Sequence, residues 1–173
     1  MVTMENTLIP IIIDIEASGF SKGSYPIEIG LVLPNGSSYC YLIQPYDDWT
    51  HWEVEAENLH RLSRETVERF GMDGAYVAKQ LNKHLANETV YTDAWNYDSS
   101  WLGLLFDRAA VRQKFKLEPL LAITTEEQKR IWAKARDEVI NESGLKRHRA
   151  SADARIIQST WLRTYSGNRA SSM

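Results

Sequence analysis

One short stretch near the start of the chain, Ile11-Ile12-Ile13-Asp14-Ile15-Glu16, constrains the fold more than any other. Its β-branched run reads as a central strand buried on both faces. Side chains in a strand alternate with a period of two, so Asp14 and Glu16 point to one face. Two like charges that close repel and shift each other's pKa unless a cation sits between them. Hard oxygen ligands in this arrangement suit Mg²⁺ or Mn²⁺. The rest of the chain must then supply further ligands.

A pass along the chain predicts a mixed α/β architecture. The first strand covers about Leu8 to Glu16, a turn-rich loop follows from Ala17 to Ser24, and Pro26 to Leu33 forms a second strand. Pro34-Asn35-Gly36 is a tight turn, so Ser38 to Ile43 pairs antiparallel with the second strand. A loop rich in aromatics comes next, with Tyr46, Trp49, His51 and Trp52. Ser63 caps a helix from Arg64 to Phe70, and apolar spacing gives another from Tyr76 to Leu85. Thr89 to Thr92 is a short strand and Asp98 to Arg112 a helix. Leu120 to Thr124 is a fifth strand, and Thr125 caps a helix from Glu126 to Ile140. A last helix runs from Ala150 to Tyr165, with residues 1–7 and 166–173 expected to be flexible. A hairpin followed by alternating strands and helices argues one domain over 1–173, a mixed sheet covered by helices.

Bulk composition narrows the classes. A chain of 173 residues, 43% hydrophobic and 25% charged, fits one globular domain. No apolar run approaches the roughly 20 residues of a membrane span, so no membrane partner is expected. No signal-peptide pattern is visible, and the single Cys40 fits a reducing cytoplasm. Charge is unevenly spread. From Gly144 onward, Lys146, Arg147, Arg149, Arg155, Arg163 and Arg169 face one acid, Asp153, an excess of +5. The total is −3, which leaves −8 for the remainder. Such a basic edge suits a phosphate backbone or a solvated helix face.

Two later segments carry acids in suitable contexts. In Tyr91-Thr92-Asp93-Ala94-Trp95-Asn96-Tyr97-Asp98 a strand runs into a helix, with Asp98 at its start, either as a plain cap or aimed at a site. In His148-Arg149-Ala150-Ser151-Ala152-Asp153, His148 lies just before the last helix and Asp153 in its first turns, so both can face one site. A helix N-terminus there also favours a bound phosphate.

Asp14-x-Glu16, Tyr97-Asp98 and His148-x-Ala150-x-x-Asp153, in this order, resemble the DEDDh 3′–5′ exonucleases of the ribonuclease H-like superfamily. Ile27-Glu28-Ile29-Gly30 and His60-Arg61-Leu62-Ser63 are similar to two further segments of that family. The resemblance spans Ile11 to about Leu162. It implies a five-stranded mixed sheet of order 3-2-1-4-5 with strand 2 antiparallel. It implies that Asp14, Glu16, Asp98 and Asp153 hold two divalent cations, Mg²⁺ or Mn²⁺, and that His148 is the general base. The implied activity is release of nucleoside 5′-monophosphates from single-stranded RNA or DNA 3′ ends. Two metals would clamp the scissile phosphate, and His148 would take the proton of the attacking water. RNA is slightly favoured over DNA, on the compactness of the chain. Relatives of this size are often homodimers.

The departures fall around the substrate. The family's His-Asn before the third acid is Asp93-Ala94 here, and Tyr97 replaces its Phe. Ala17-Ser18-Gly19, with Phe20 after it, stands where Thr-Thr-Gly or Met-Thr-Gly followed by Leu is common, in a segment lining the terminal nucleotide's pocket in relatives. Ala17, Ser18, Gly19, Phe20, His60 and Arg149 are therefore the expected substrate-binding residues. Phe20 either wedges beside a base or plugs the core. Glu28 reads as structural, and Asp93 as a supporting acid or a strand-end cap. Lys146 and Arg147 stand as phosphate ligands or solvated charges. The Trp49, His51 and Trp52 cluster reads as a stacking platform, core packing or a dimer contact. Rival readings are a non-catalytic nucleic-acid-binding domain on the same fold, or a phosphodiesterase for small nucleotides.

Overall fold

The computed structural model describes residues 9–170, with side chains to Tyr165. The expected strand start at Leu8 and the flexibility expected of residues 1–7 and 171–173 lie outside the described residues. A five-stranded sheet of order β3-β2-β1-β4-β5 organises the chain. Its strands are β1 (Ile11–Ala17), β2 (Pro26–Val32), β3 (Ser38–Leu42), β4 (Thr89–Thr92) and β5 (Lys116–Pro119). β2 runs antiparallel to β1 and β3, while β4 runs parallel to β1 and β5. Order and directions are those expected from the sequence.

Six helices cover the sheet among the described residues: α1 (Val54–His60), α2 (Arg64–Phe70), α3 (Gly74–Leu85), α4 (Trp95–Arg108), α5 (Glu126–Ser143) and α6 (Ala150–Ala170). The alternation of β1 divides two cores. Ile11, Ile13, Ile15 and Ala17 join the side packed by Val77, Leu81, Leu102 and Leu105 of α3 and α4. Ile12 joins the other side, with Val32, Leu120, Ala154, Ile157 and Trp161. Each fully buried aliphatic chain of this kind contributes roughly 1.5–3 kcal/mol. Asp14 and Glu16 follow Ile12 by the period of two, so they emerge on the α6 face at the carboxyl end of β1. α6 lies close to the sheet there. A Cβ on Gly30, the cross-strand partner of Asp14, would stand 2.1 Å from the Ser151 nitrogen and 2.2 Å from the Ala150 carbonyl carbon.

Five local expectations are corrected. Residues 54–60 form α1 rather than loop; only Ala56 and His60 are buried, so no apolar stripe announces the helix. The fifth strand is Lys116–Pro119, and Leu120–Ile123 is a 3₁₀ turn. The strand alternates exposed and half-buried residues at the sheet edge, without the β-branched run that marks a central strand. α4 begins at Trp95 and ends at Arg108, so it starts and stops earlier than its apolar spacing suggests. α5 extends to Ser143 and α6 to Ala170, past the expected stops. No helix of the described residues is long and apolar enough to cross a membrane.

Candidate metal and nucleic-acid site

Three chain segments converge at the carboxyl end of β1. Asp98 arrives from the first turn of α4. It is not the cap; that position is Ala94, which makes no side-chain capping bond. Asp98 is instead 1% exposed, and its Oδ2 accepts a short hydrogen bond from the Thr92 hydroxyl at the end of β4. Asp153 arrives from the first turn of α6. Its Oδ2 accepts the His148 backbone N–H at 2.8 Å, while its buried Oδ1 has no hydrogen-bond partner. His148 takes a left-handed backbone, φ 62°, which turns the chain into α6. One ligand atom each of Glu16, His148 and Asp153 lies within 4.8 Å of the others.

The electrostatics are those of carboxylates crowded together without enough cations. Burial, then Asp98, Glu16, Asp153 and Asp93 in turn, push the Asp14 carboxyl well above its ordinary value. Burial pushes Glu16 up to about 8, helped by Asp153, Glu28 and Asp98 and opposed by Arg149. Burial raises Asp98 to about 7; Asp93 adds to the rise and the Thr92 hydroxyl opposes it. Arg136 lies 3.8 Å from Asp93, and Arg147 lies 3.9 Å from Asp153. The donor set, mostly oxygen with one imidazole, together with the orphaned Asp153 oxygen, fits hard divalent ions.

A cleft of 150 Å³ opens over the acids, and its walls include Asp14, Glu16, Ala17, Phe20, Leu59, His60, Tyr97, Asp98 and Trp101. Of the expected substrate residues, Ala17, Phe20 and His60 line it. The Phe20 ring is 54% exposed, so it is not a core plug. His60 is buried, and burial lowers its pKa; its Nδ1 accepts the Leu62 N–H at 3.1 Å. Ser18 turns inward instead, donating its N–H to the Tyr25 carbonyl at 2.9 Å and accepting the Tyr25 N–H at 3.1 Å. Gly19 packs on Glu53. Arg149 grips Glu28, with Nη2 2.6 Å from Oε1, and the Ala150 N–H donates to Oε2 at 2.8 Å. Glu28 is thus structural, as its sequence context suggests.

The basic edge is largely tied to acids. Arg147 leans on Asp153, Arg149 on Glu28, and Arg163 on Glu138 and Glu142 of α5; Lys146 is exposed. The side chain of Arg169 lies outside the described residues. The tryptophan cluster is core packing at its centre. Trp49 stacks on Tyr25 at 5.0 Å and meets Tyr46 edge-on at 4.9 Å. Trp52 donates its indole N–H to Glu57 at 2.6 Å.

Sequence reasoning overlooked Trp101, which stacks against Tyr97 at 5.5 Å in the cleft wall. The signal was present: the two are four apart, on one helix face beside Asp98. Thr92 and Glu53 were also overlooked, because their partners are distant in the chain or hidden at a strand end.

No described protein family matches the chain, and no curated protein sequence does. Solved structures do match in fold. The zinc-bound complex of Escherichia coli exonuclease I with single-stranded DNA aligns at a TM-score of 0.62 and 11% identity, over 92% of this chain and 40% of that one. The same enzyme bound to a dA16 oligonucleotide gives 0.63 and 13% identity, over 89% and 40%. The moderately thermophilic exonuclease I of Methylocaldum szegediense gives 0.64 and 14% identity, over 88% and 40%. The chain spans about two-fifths of the length of these proteins.

Proposed function

We propose that the chain is a metal-dependent 3′–5′ exonuclease of the DEDDh type, acting on single-stranded 3′ ends in the cytoplasm as one catalytic domain. The observation that carries this reading is the convergence of Asp14, Glu16, Asp98 and Asp153, from three separate segments, beside a cleft walled by aromatic rings, with a ligand atom of His148 within 4.8 Å of Glu16 and Asp153. The four acids would hold two divalent cations, Mg²⁺ or Mn²⁺. When bound, such ions offset the mutual repulsion of the carboxylates and stabilise charge on the phosphate and the leaving oxygen. Phe20, Tyr97 and Trp101 present ring faces to the terminal base. His148, within reach of Glu16 and Asp153, takes a proton from the water that attacks phosphorus. The bond from phosphorus to the neighbouring 3′-oxygen breaks, and a nucleoside 5′-monophosphate leaves. The oligodeoxynucleotides bound to the exonuclease I structures favour DNA, against the slight lean of the sequence towards RNA. A homodimer is tested on the same preparation by size-exclusion chromatography with light scattering.

The test is a gel assay on 5′-labelled single-stranded DNA and RNA with Mg²⁺, Mn²⁺ or EDTA. A ladder shortening stepwise from the 3′ end is expected, lost in EDTA and in Asp14→Ala and His148→Ala. Activity surviving in Asp14→Ala sinks the metal assignment, and one internal cut sinks the exonuclease assignment. Hydrolysis of a chromogenic phosphodiester without any action on oligonucleotides supports the small-nucleotide reading instead.

A further inference from the structure

The loop between β1 and β2 carries Phe20 at its tip, between two hollows. One is the cleft over the acids. The other is a 390 Å³ groove lined by Lys22, Asn96, Ser100 and Leu104, which shares Phe20, Tyr97 and Trp101 with the cleft. Phe20 marks the boundary. Residues 18 to 24 are otherwise small or polar, and such a loop holds an exposed ring in place only if its backbone is tied.

The tie at the tip comes from one residue more than thirty positions away. The Phe20 N–H donates to Glu53 Oε2 at 2.9 Å, and the Ser21 N–H donates to Oε1 at 3.1 Å. The Ser21 hydroxyl donates to the same Oε1. The Glu53 N–H in turn donates to the Ser18 carbonyl at 2.8 Å. His51 completes the cluster, its Nε2 3.1 Å from the Ser21 hydroxyl and 3.3 Å from Glu53 Oε1. Glu53 occupies the N-cap position of α1, where a side chain usually bonds the helix's own amides. It makes no such bond, and its carboxylate is directed to the loop. The bond from the Ser21 hydroxyl, first among several, holds this carboxyl below its ordinary value. Gly19 makes the room: a Cβ there would lie 2.5 Å from the Glu53 carboxyl carbon. Because α1 supplies Ala56, Leu59 and His60 to the lining of the same cleft, Glu53 at its N-cap ties the Phe20 loop to another part of that lining.

We infer that Glu53 is a positioning residue, which fixes Phe20 at the boundary between cleft and groove and so sets how the terminal nucleotide is parted from the next. The inference rests on the exonuclease reading above. Glu53 contacts no reacting atom in it; Phe20 contacts the base.

The experiment combines Glu53→Ala, Glu53→Gln, Phe20→Ala and the Glu53→Ala/Phe20→Ala pair. Monophosphate release from a single-stranded oligonucleotide is measured beside hydrolysis of thymidine 5′-(p-nitrophenyl phosphate), which has no second base. Glu53→Ala is expected to raise KM for the oligonucleotide roughly tenfold, a modest case of misplacement near a reacting centre, and to raise KM for the small diester by a smaller factor, because that substrate offers Phe20 one base to touch but no second base to part it from. Phe20→Ala should show a similar defect and the pair no larger one, because both changes remove one function. Glu53→Gln keeps an acceptor oxygen and should recover most of the loss. A readout free of catalysis is cleavage after Lys22 by a lysine-specific protease, which should accelerate in Glu53→Ala at unchanged Tm. If that variant is too unstable to assay, Ser21→Ala takes its place, with a smaller defect of the same kind. Additive defects, or unchanged Lys22 cleavage, overturn the inference. Wild-type protein that releases no monophosphate overturns the exonuclease reading itself, and the role of Glu53 in parting nucleotides with it, whatever the protease reports.

Discussion

Glu16 and Glu28 sit opposite each other on β1 and β2, yet the fold treats them in opposite ways. Glu28 is 1% exposed, and it receives the Arg149 guanidinium and the Ala150 N–H. Its charge is matched inside the chain. Glu16, directly across, meets Asp153 and Asp98, with Arg149 only opposing from beyond Glu28. A buried carboxylate that serves structure is given its counter-charge by the protein. One left among like charges marks a place where the counter-charge comes from outside.

The contrast can be broken from either side. The largest effect is expected on the unmatched side. Asp14→Asn keeps the shape and removes a charge, so exonuclease activity should fall at least about a hundredfold, the scale lost when one electrostatic stabiliser goes. Thermal stability without added metal should rise, because repulsion is relieved; a fall in Tm would show that the acids are not crowded as described. On the matched side, Arg149→Ala strands Glu28 in the sheet. Unfolding in urea should show a loss of about 3 kcal/mol, the lower end for breaking a buried pair because Arg149 is half in solvent.

The effect that sharpens the comparison most is a trend with pH. In the fold Glu16 titrates at about 8 instead of 4.5, and Asp98 at about 7 instead of 3.8. Between those limits the folded state holds protons that the unfolded chain has already lost. Stability therefore falls as pH rises through this window, the reverse of the usual salt-bridged carboxylate. Scanning calorimetry without metal should show Tm declining from pH 5 to pH 8. Mg²⁺ should restore it more at pH 8 than at pH 5, since protons compete for the same oxygens. A flat Tm, or equal Mg²⁺ stabilisation at both pH values, would count against the crowded cluster.

Much of the fold could be read from local patterning. The β-branched run of β1, the Pro-Asn-Gly turn and the Ser63 and Thr125 caps each announce their element without help from distant residues. β5 was displaced because Lys116–Pro119 owes its strand to pairing with β4, not to its own composition. α1 stayed hidden because its exposed Val54 and Leu59 make no stripe towards the core. At the site, the acids were legible because their chemistry is carried by spacing. The loop ties were not, because Glu53 reaches Phe20 and Ser21 across thirty-odd residues, and only the folded chain brings such partners together. Arg149 shows the same limit: its charge is visible in sequence, but its commitment to Glu28 is a tertiary fact.

The bare backbone of Gly30 gives the acid cluster its dimensions. With no side chain there, the start of α6 rests directly on β2 beside Asp14, and Asp153 comes in at the height that this contact allows. The glycine works as a gauge block of zero thickness. Adding one methyl group would leave every acid in the sequence and still jack α6 off the sheet, opening the gap between Asp153 and the β1 carboxylates. In this chain the spacing of the acid cluster is machined by a missing atom as much as by the ones that are present.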